Sequence, residues 1–262
     1  MMRSLAVLTL TAMAGVAWHA GPPPDMAKTP ILLELFTSEG CSSCPPVDNW
    51  AERLDAAQPI AGAQLIVLSE HVDYWDHDGW RDPFSSGLIT ARQRGYMQML
   101  GLSDVYTPQV ILDGAVEVHP WKVSEVKQGL QKAAEEPMIP LHIEGAALTA
   151  GEPGELTGRI EAEGSAQKHG GDVYVAVALD KTETDVLAGE NNGKKLTNVA
   201  VVKDLAKIGK LEKGKSFDQT FRVKLWQGAD PANLRVVAFV QEPGQGKVLG
   251  AAMTKEIVRG AS

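Results

Sequence analysis

The 262-residue chain predicts a mixed α/β domain followed by a β-rich, sandwich-like one. Three observations carry that reading. Strand-like and helix-like stretches alternate up to residue 136, helical periodicity nearly vanishes after Pro137, and short strand-like pieces separated by Gly, Asn, Asp and Pro recur from there to the end.

The elements of the first half follow in order. "ILLELF" (31–36) is a short apolar run of the kind that forms a buried strand. "PPVDNWAERLDAAQ" (45–58) places Val47, Trp50, Ala51 and Leu54 at helical spacing, and its prolines suit a first helical turn. "AQLIVLSEHV" (63–72) is a second strand centred on Ile66, Val67 and Leu68. "FSSGLITARQRGYMQMLG" (84–101) is a helix stopped by Gly101. "PQVILDGAVEV" (108–118) is a hairpin turning at Asp113-Gly114, and "SEVKQGLQKAAEE" (124–136) is a helix with Ser124 as expected N-cap. Strands joined through helices are expected to be parallel, with the hairpin as an antiparallel edge. The organisation read from this is a signal segment at 1–20, a linker at 21–30, an α/β domain at 31–136 and a β-rich domain at 137–262.

A net charge of −8 without a Lys/Arg cluster argues against nucleic acid as a partner. Arg3, the apolar run from Leu5 to Ala17 and the small residues Gly15, Ala17 and Ala20 form the three-part pattern of a secretory signal. The run is shorter than the ~20 residues of a spanning helix, so export without lasting membrane insertion is expected. In a periplasmic or secreted setting, disulfides persist.

Both cysteines lie in "GCSSCPP". Three roles are open to such a pair: redox exchange, a metal grip or a local clasp. A CxxC between a strand and a helix sets Cys41 at the positive end of the helix, which favours its thiolate, and leaves Cys44 one turn on to resolve a mixed disulfide. A clasp around so short a loop contributes only about 2 kcal/mol. A metal grip for Cu(I) or Zn needs further ligands, and His71 is the best third one on offer. Redox exchange leads, and it needs no cofactor.

The order of elements, the CxxC opening the first helix and "VYTPQVILDG" (105–114) resemble the thioredoxin superfamily. The combination of "ELFTSEGCSSCPP", "HVDYWDHDGWRDPFS" and "VYTPQ" with a β-rich tail is similar to an exported thioredoxin-like family of uncharacterised function. The resemblance implies a thioredoxin-like fold over 31–136. It also implies that Cys41 attacks, that Cys44 resolves, and that a cis Thr107-Pro108 bond packs beside the pair and shapes the substrate groove. The pattern departs at Gly40, where thioredoxins carry Trp, and at Pro45, where they carry a basic residue. Leu35 stands where they carry a buried strand carboxylate, and Glu34, one position off, is expected to pair with a cation.

Residues 69–83, "SEHVDYWDHDGWRDP", leave the second strand at the sheet edge where the CxxC also lies. His71, Asp73 and Trp75 are candidates for substrate contact or proton transfer, and Trp75 and Trp80 also for packing. "DHDG" lacks the distal Glu of a calcium loop, and His119, His142 and His169 have no partners by spacing. No phosphate-binding glycine loop or serine elbow occurs. Asn191 and Asn192, in "GENNGKKLTNVAVVKDL", fit a turn in a long loop facing the first half. The expected function is thiol–disulfide exchange with protein or small-thiol partners, the alternatives being a metal carrier or a non-catalytic binding module.

Overall fold

The computed structural model describes residues 28–149, 154–163 and 170–259. The signal segment at 1–20, most of the linker at 21–30 and His169 lie outside the described residues. No helix among those described is long and apolar enough to cross a membrane.

In chain order the elements are β1 (Thr29–Thr37), α1 (Pro45–Ala57), β2 (Ala63–His71), α2 (Gly87–Leu100), β3 (Gln109–Leu112), β4 (Val116–Val118) and α3 (Val123–Glu135). The second half follows with β5 (Leu141–Thr149), β6 (Glu155–Ala162), β7 (Gly171–Asp185), β8 (Lys195–Leu211), β9 (Phe217–Lys224), β10 (Leu234–Gln241), β11 (Val248–Thr254) and β12 (Val258–Arg259). Every predicted element of the first half is present within a few residues. Ser86 caps α2 by accepting from the Leu88 amide, and Gly101 ends it at φ +66°. The expected cap of α3 differs: Lys122 occupies the N-cap without a side-chain hydrogen bond, and Ser124 is already helical.

The strands form two sheets, eight in the order β11-β10-β7-β8-β2-β1-β3-β4 and four in the order β12-β5-β6-β9. β1 and β2 are parallel in register Thr29↔Ala63 to Thr37↔His71, and β3 runs antiparallel to β1. Asp113 and Gly114 both take positive φ at the β3–β4 turn, the conformation that an Asp-Gly hairpin selects.

The texture change at Pro137 does not break the large sheet, because β2 pairs in parallel with β8 at Ser69↔Val201. The β-rich half was expected as a separate unit. Instead four of its strands extend the first sheet, and the small sheet packs on that extension. The residues explain why. β10 is buried along its whole length, with Leu234, Val236, Ala238 and Val240 facing Ile160, Phe221 and Val223 of the small sheet, and Val237 and Phe239 facing the other way. On the first half Ile31, Leu33 and Leu35 pack with residues of α1 and α3, while Leu32 and Phe36 pack with Ile89 and Tyr96 of α2.

Glu34 shares the even-numbered face of β1 and is fully buried. It pairs with Arg92 of α2 at 2.5 Å, as its expected cation partnership required, and accepts a hydrogen bond from Tyr96. Glu70 of β2 is equally buried, and burial together with the Glu34 charge pushes its carboxyl well above the ordinary range. One guanidinium thus faces two carboxyls, and Glu70 is the one pushed toward its neutral form. Gln241 of β10 bonds to Arg92 and Tyr96, which ties the second half into this cluster.

Candidate functional site

Cys41 and Cys44 form a disulfide, and neither is exposed (0% each). The chain turns tightly into α1: the Cys41 amide donates to the Ser38 carbonyl, the Cys44 amide to Cys41 and the Val47 amide to Cys44. Pro45 opens the helix at no cost in hydrogen bonds, since a first-turn amide has no intrahelical acceptor. Gly40 explains its own departure from the thioredoxin pattern. A Cβ there would meet Trp75 Cβ at 3.1 Å and the Trp75 carbonyl oxygen at 3.3 Å, so a side chain fits only if Trp75 gives by a few tenths of an ångström.

The Thr107-Pro108 bond is cis, and the Thr107 carbonyl oxygen lies 3.9 Å from Cys41 Sγ. Trp75 Nε1 donates to Thr107 Oγ1 at 2.7 Å. The loop after β2 therefore holds the segment that faces the sulfur. Three residues expected together are together here: Cys41, Thr107 and Trp75.

Asp73 goes elsewhere. Its carboxylate accepts from Thr90 Oγ1 at 2.6 Å, and its amide donates back to the same hydroxyl, so it anchors α2 rather than the disulfide. Asp76 is likewise occupied, accepting from the Asp82 amide and the Ser85 hydroxyl. Trp80 donates Nε1 to Glu39 Oε2 at 3.0 Å. His119, read as lacking a partner, pairs with Glu125 at 2.6 Å.

His71 is fully buried at the end of β2, and its Nδ1 lies 2.7 Å from Asp82 Oδ2. Burial is the largest single influence and works downward, but the charge and hydrogen bond of Asp82, together with the nearby Asp48 and Glu39 carboxyls, raise the pKa. For Asp82, burial works upward and the His71 charge and hydrogen bond win, so it is lowered. Each partner thus favours the charged form of the other across a short buried contact. Nε2 has no hydrogen-bond partner among the described residues. With both sulfurs joined in the disulfide, the ligand set considered from the sequence, Cys41, Cys44 and His71, is not assembled in this oxidised form. Among the described residues no three His, Cys, Asp or Glu side chains are arranged to hold a metal.

The sequence reading passed over Asp48. It lies one helical turn after Cys44, and positions four apart share a helix face. Asp48 is buried and accepts from Thr37 Oγ1 at 2.7 Å. Burial pushes its carboxyl up to about 7, against the Thr37 hydrogen bond and the His71 charge. Glu39 is also raised, by burial and then by the Asp82 charge. Thr37, Glu39, Asp48, His71 and Asp82 form a buried polar cluster at the ends of β1 and β2, around the start of α1. The signal for Asp48 was its i+4 spacing from Cys44.

The second half reaches the site through the β7–β8 tip, residues 186–194. Asn191 is fully buried, and its Nδ2 donates to the carbonyls of Glu39 at 2.8 Å and Cys41 at 2.9 Å. The Ser42 amide donates to the Glu190 carboxylate at 3.0 Å. The long loop was expected to face the first half; the role of Asn191 in it exceeds turn geometry.

A family model described as "Protein of unknown function (DUF1223)" matches residues 32–241. Among solved structures, protein AGR_C_4864 from Agrobacterium tumefaciens is 27% identical, the match covering 86% of this chain and 94% of that one with a TM-score of 0.65. HBP35 of Porphyromonas gingivalis is 16% identical, over 90% of this chain and 78% of that one, with a TM-score of 0.62. Both are thioredoxin-like fold proteins. No curated protein matches.

Proposed function

The chain belongs to the DUF1223 family, and we propose that it is an exported thiol–disulfide oxidoreductase acting on protein or small-thiol partners. One observation carries the reading: the only two cysteines form a disulfide at the start of α1, beside the Thr107 carbonyl and one turn from a buried carboxyl that titrates near neutrality.

The exchange runs in two steps. A partner thiolate attacks Cys41 Sγ, forming a mixed disulfide as the Cys41–Cys44 bond breaks. The electron pair leaves on the Cys44 sulfur, which takes the proton held by Asp48. A second partner thiol then gives its proton to the Asp48 carboxylate and attacks the partner sulfur bound to Cys41, which breaks the mixed disulfide and releases Cys41 as a thiolate. The partner dithiol is oxidised to a disulfide, and the protein pair is reduced. The helix N-terminus stabilises the Cys41 thiolate, and the low-pKa thiolate is the better leaving group. Asp48 suits the proton transfer because a donor near the working pH both gives and regains a proton readily. His71, fixed by Asp82, sets the field in which Asp48 titrates.

Cys41→Ser should abolish exchange with a dithiol partner. Cys44→Ser should accumulate the mixed disulfide, visible as a mass adduct. Unchanged turnover in Cys41→Ser would remove the proposal.

A further inference from the structure

We infer that the β7–β8 tip is the specificity element of the redox centre: Asn191 and Glu190 hold it on the backbone around Cys41, and extended peptide segments displace it where small thiols do not. The inference rests on the oxidoreductase reading for its substrate class, but the tip's hold on the backbone around Cys41 is a matter of geometry.

The tip is a shaped piece. The Val186 amide donates to the Lys194 carbonyl, and the Gly193 amide returns to Val186 at 2.8 Å. Gly189 sits at φ +70° against the loop after β2, where a Cβ would come within 3.0 Å of the Asp78 carbonyl oxygen and 3.1 Å of Trp80 Cβ. From that seat the Asn191 carboxamide satisfies two carbonyls, one at Cys41 and one two residues before it, and Glu190 satisfies the amide just after it. Lys194 Nζ holds Asn191 Oδ1 at 2.9 Å.

These contacts are what a strand-like peptide makes. Asn191 offers amide N–H donors, the chemistry of a backbone, and Glu190 offers an acceptor. Cys41 is 0% exposed, so reaching its sulfur requires a neighbouring segment to move, and the tip is bonded to the backbone on both sides of that sulfur. A partner that moves the tip and leaves the Glu39 and Cys41 carbonyls unpaired bears their desolvation cost. A peptide flanking a cysteine supplies alternate N–H and C=O groups and restores the pairing. A compact dithiol has nothing to put there. Glu190 also repels anionic thiolates approaching Cys41, so the same element disfavours small acidic thiols.

The test compares two reductants of the oxidised full chain at matched thiolate concentration: dithiothreitol, and an extended ten-residue peptide carrying two cysteines. Reduction is followed by mass-tagging of Cys41 and Cys44. The wild-type protein should react about tenfold faster with the peptide, and Asn191→Ala should accelerate dithiothreitol about tenfold while leaving the peptide rate within a factor of about three. Glu190→Ala, at an exposed position, should accelerate dithiothreitol in the same direction, and it decides the matter if Asn191→Ala fails to fold. A dithiothreitol rate unchanged within twofold in the folded variants overturns the inference. A wild-type preference for dithiothreitol overturns the peptide class. Peptide rates no faster than uncatalysed exchange, with dithiothreitol still responding to Asn191→Ala, would sink the oxidoreductase reading and leave the cover standing.

Discussion

Replacing Asp48 by Asn should stabilise the oxidised protein, and by an amount that grows with pH. The carboxyl is buried, and its pKa stands at about 7 in the folded chain against an ordinary 3.8. Below 3.8 both states hold the proton and the group is neutral to stability. Between 3.8 and 7 the folded state holds a proton that the unfolded chain has released, so stability falls as pH rises. Above 7 the full cost of burying the charge is present, about 4 kcal/mol at 1.36 kcal/mol per pKa unit. At pH 5 the same reckoning gives about 2 kcal/mol. Asn keeps an oxygen for the Thr37 hydroxyl and carries no charge. Urea melts of both proteins at pH 5 and pH 8, with m-values compared, read the difference directly. The advantage of Asn should roughly double over that interval. An advantage equal at the two pH values within about 0.5 kcal/mol would refute the reasoning, because a packing or hydrogen-bond effect has no reason to follow the titration. The same variant should slow exchange most below pH 7, where Asp48 carries the proton that Cys44 takes, and least above it, where the wild-type carboxyl has already lost that proton.

Other outcomes follow from the core and the loops. Arg92→Met should cost about 3–5 kcal/mol by stranding the Glu34 carboxylate, whereas Glu70→Gln should stay within about 1 kcal/mol because burial and Glu34 already favour the neutral form there; chemical denaturation separates the two. Gly40→Ala should cost about 1–3 kcal/mol through its collision with Trp75, with a matching change in near-ultraviolet dichroism. Trp75→Phe should release Thr107 Oγ1, cost about 1 kcal/mol in thermal melts, and alter exchange rates with peptides more than it alters stability.

What the sequence made legible was local. The apolar runs at 31–36 and 63–72, the proline-opened helix and the Asp-Gly turn each carry their own signal within a few residues, and each appears as read. Glu34 was also readable, because strand alternation alone puts it on the face opposite Leu33 and Leu35. Asp48 was harder. In a helix whose apolar stripe is Val47, Trp50, Ala51 and Leu54, an aspartate reads as a solvent-facing residue until the approach of β1 and Thr37 is known. His71 was suspected for the right region, but its commitment to Asp82 depends on how the loop folds back. Asn191 and Glu39 were least legible, because their contacts join segments far apart in the chain, and no periodicity encodes such a contact. The β2–β8 pairing failed to show for the same reason, although the nearly continuous apolar run of β2 is what a strand paired on both sides requires.

That pairing has a consequence for how the chain is made. Ser69 leaves the ribosome long before Val201, its partner across the sheet. Until β8 arrives, β2 is an open edge, with unpaired backbone groups on an apolar strand, the feature that recruits neighbouring chains. A chain cut at Pro137 would keep that edge for good. The first half is therefore expected to persist only under escort during synthesis, and a fragment ending there should aggregate even though it holds both cysteines.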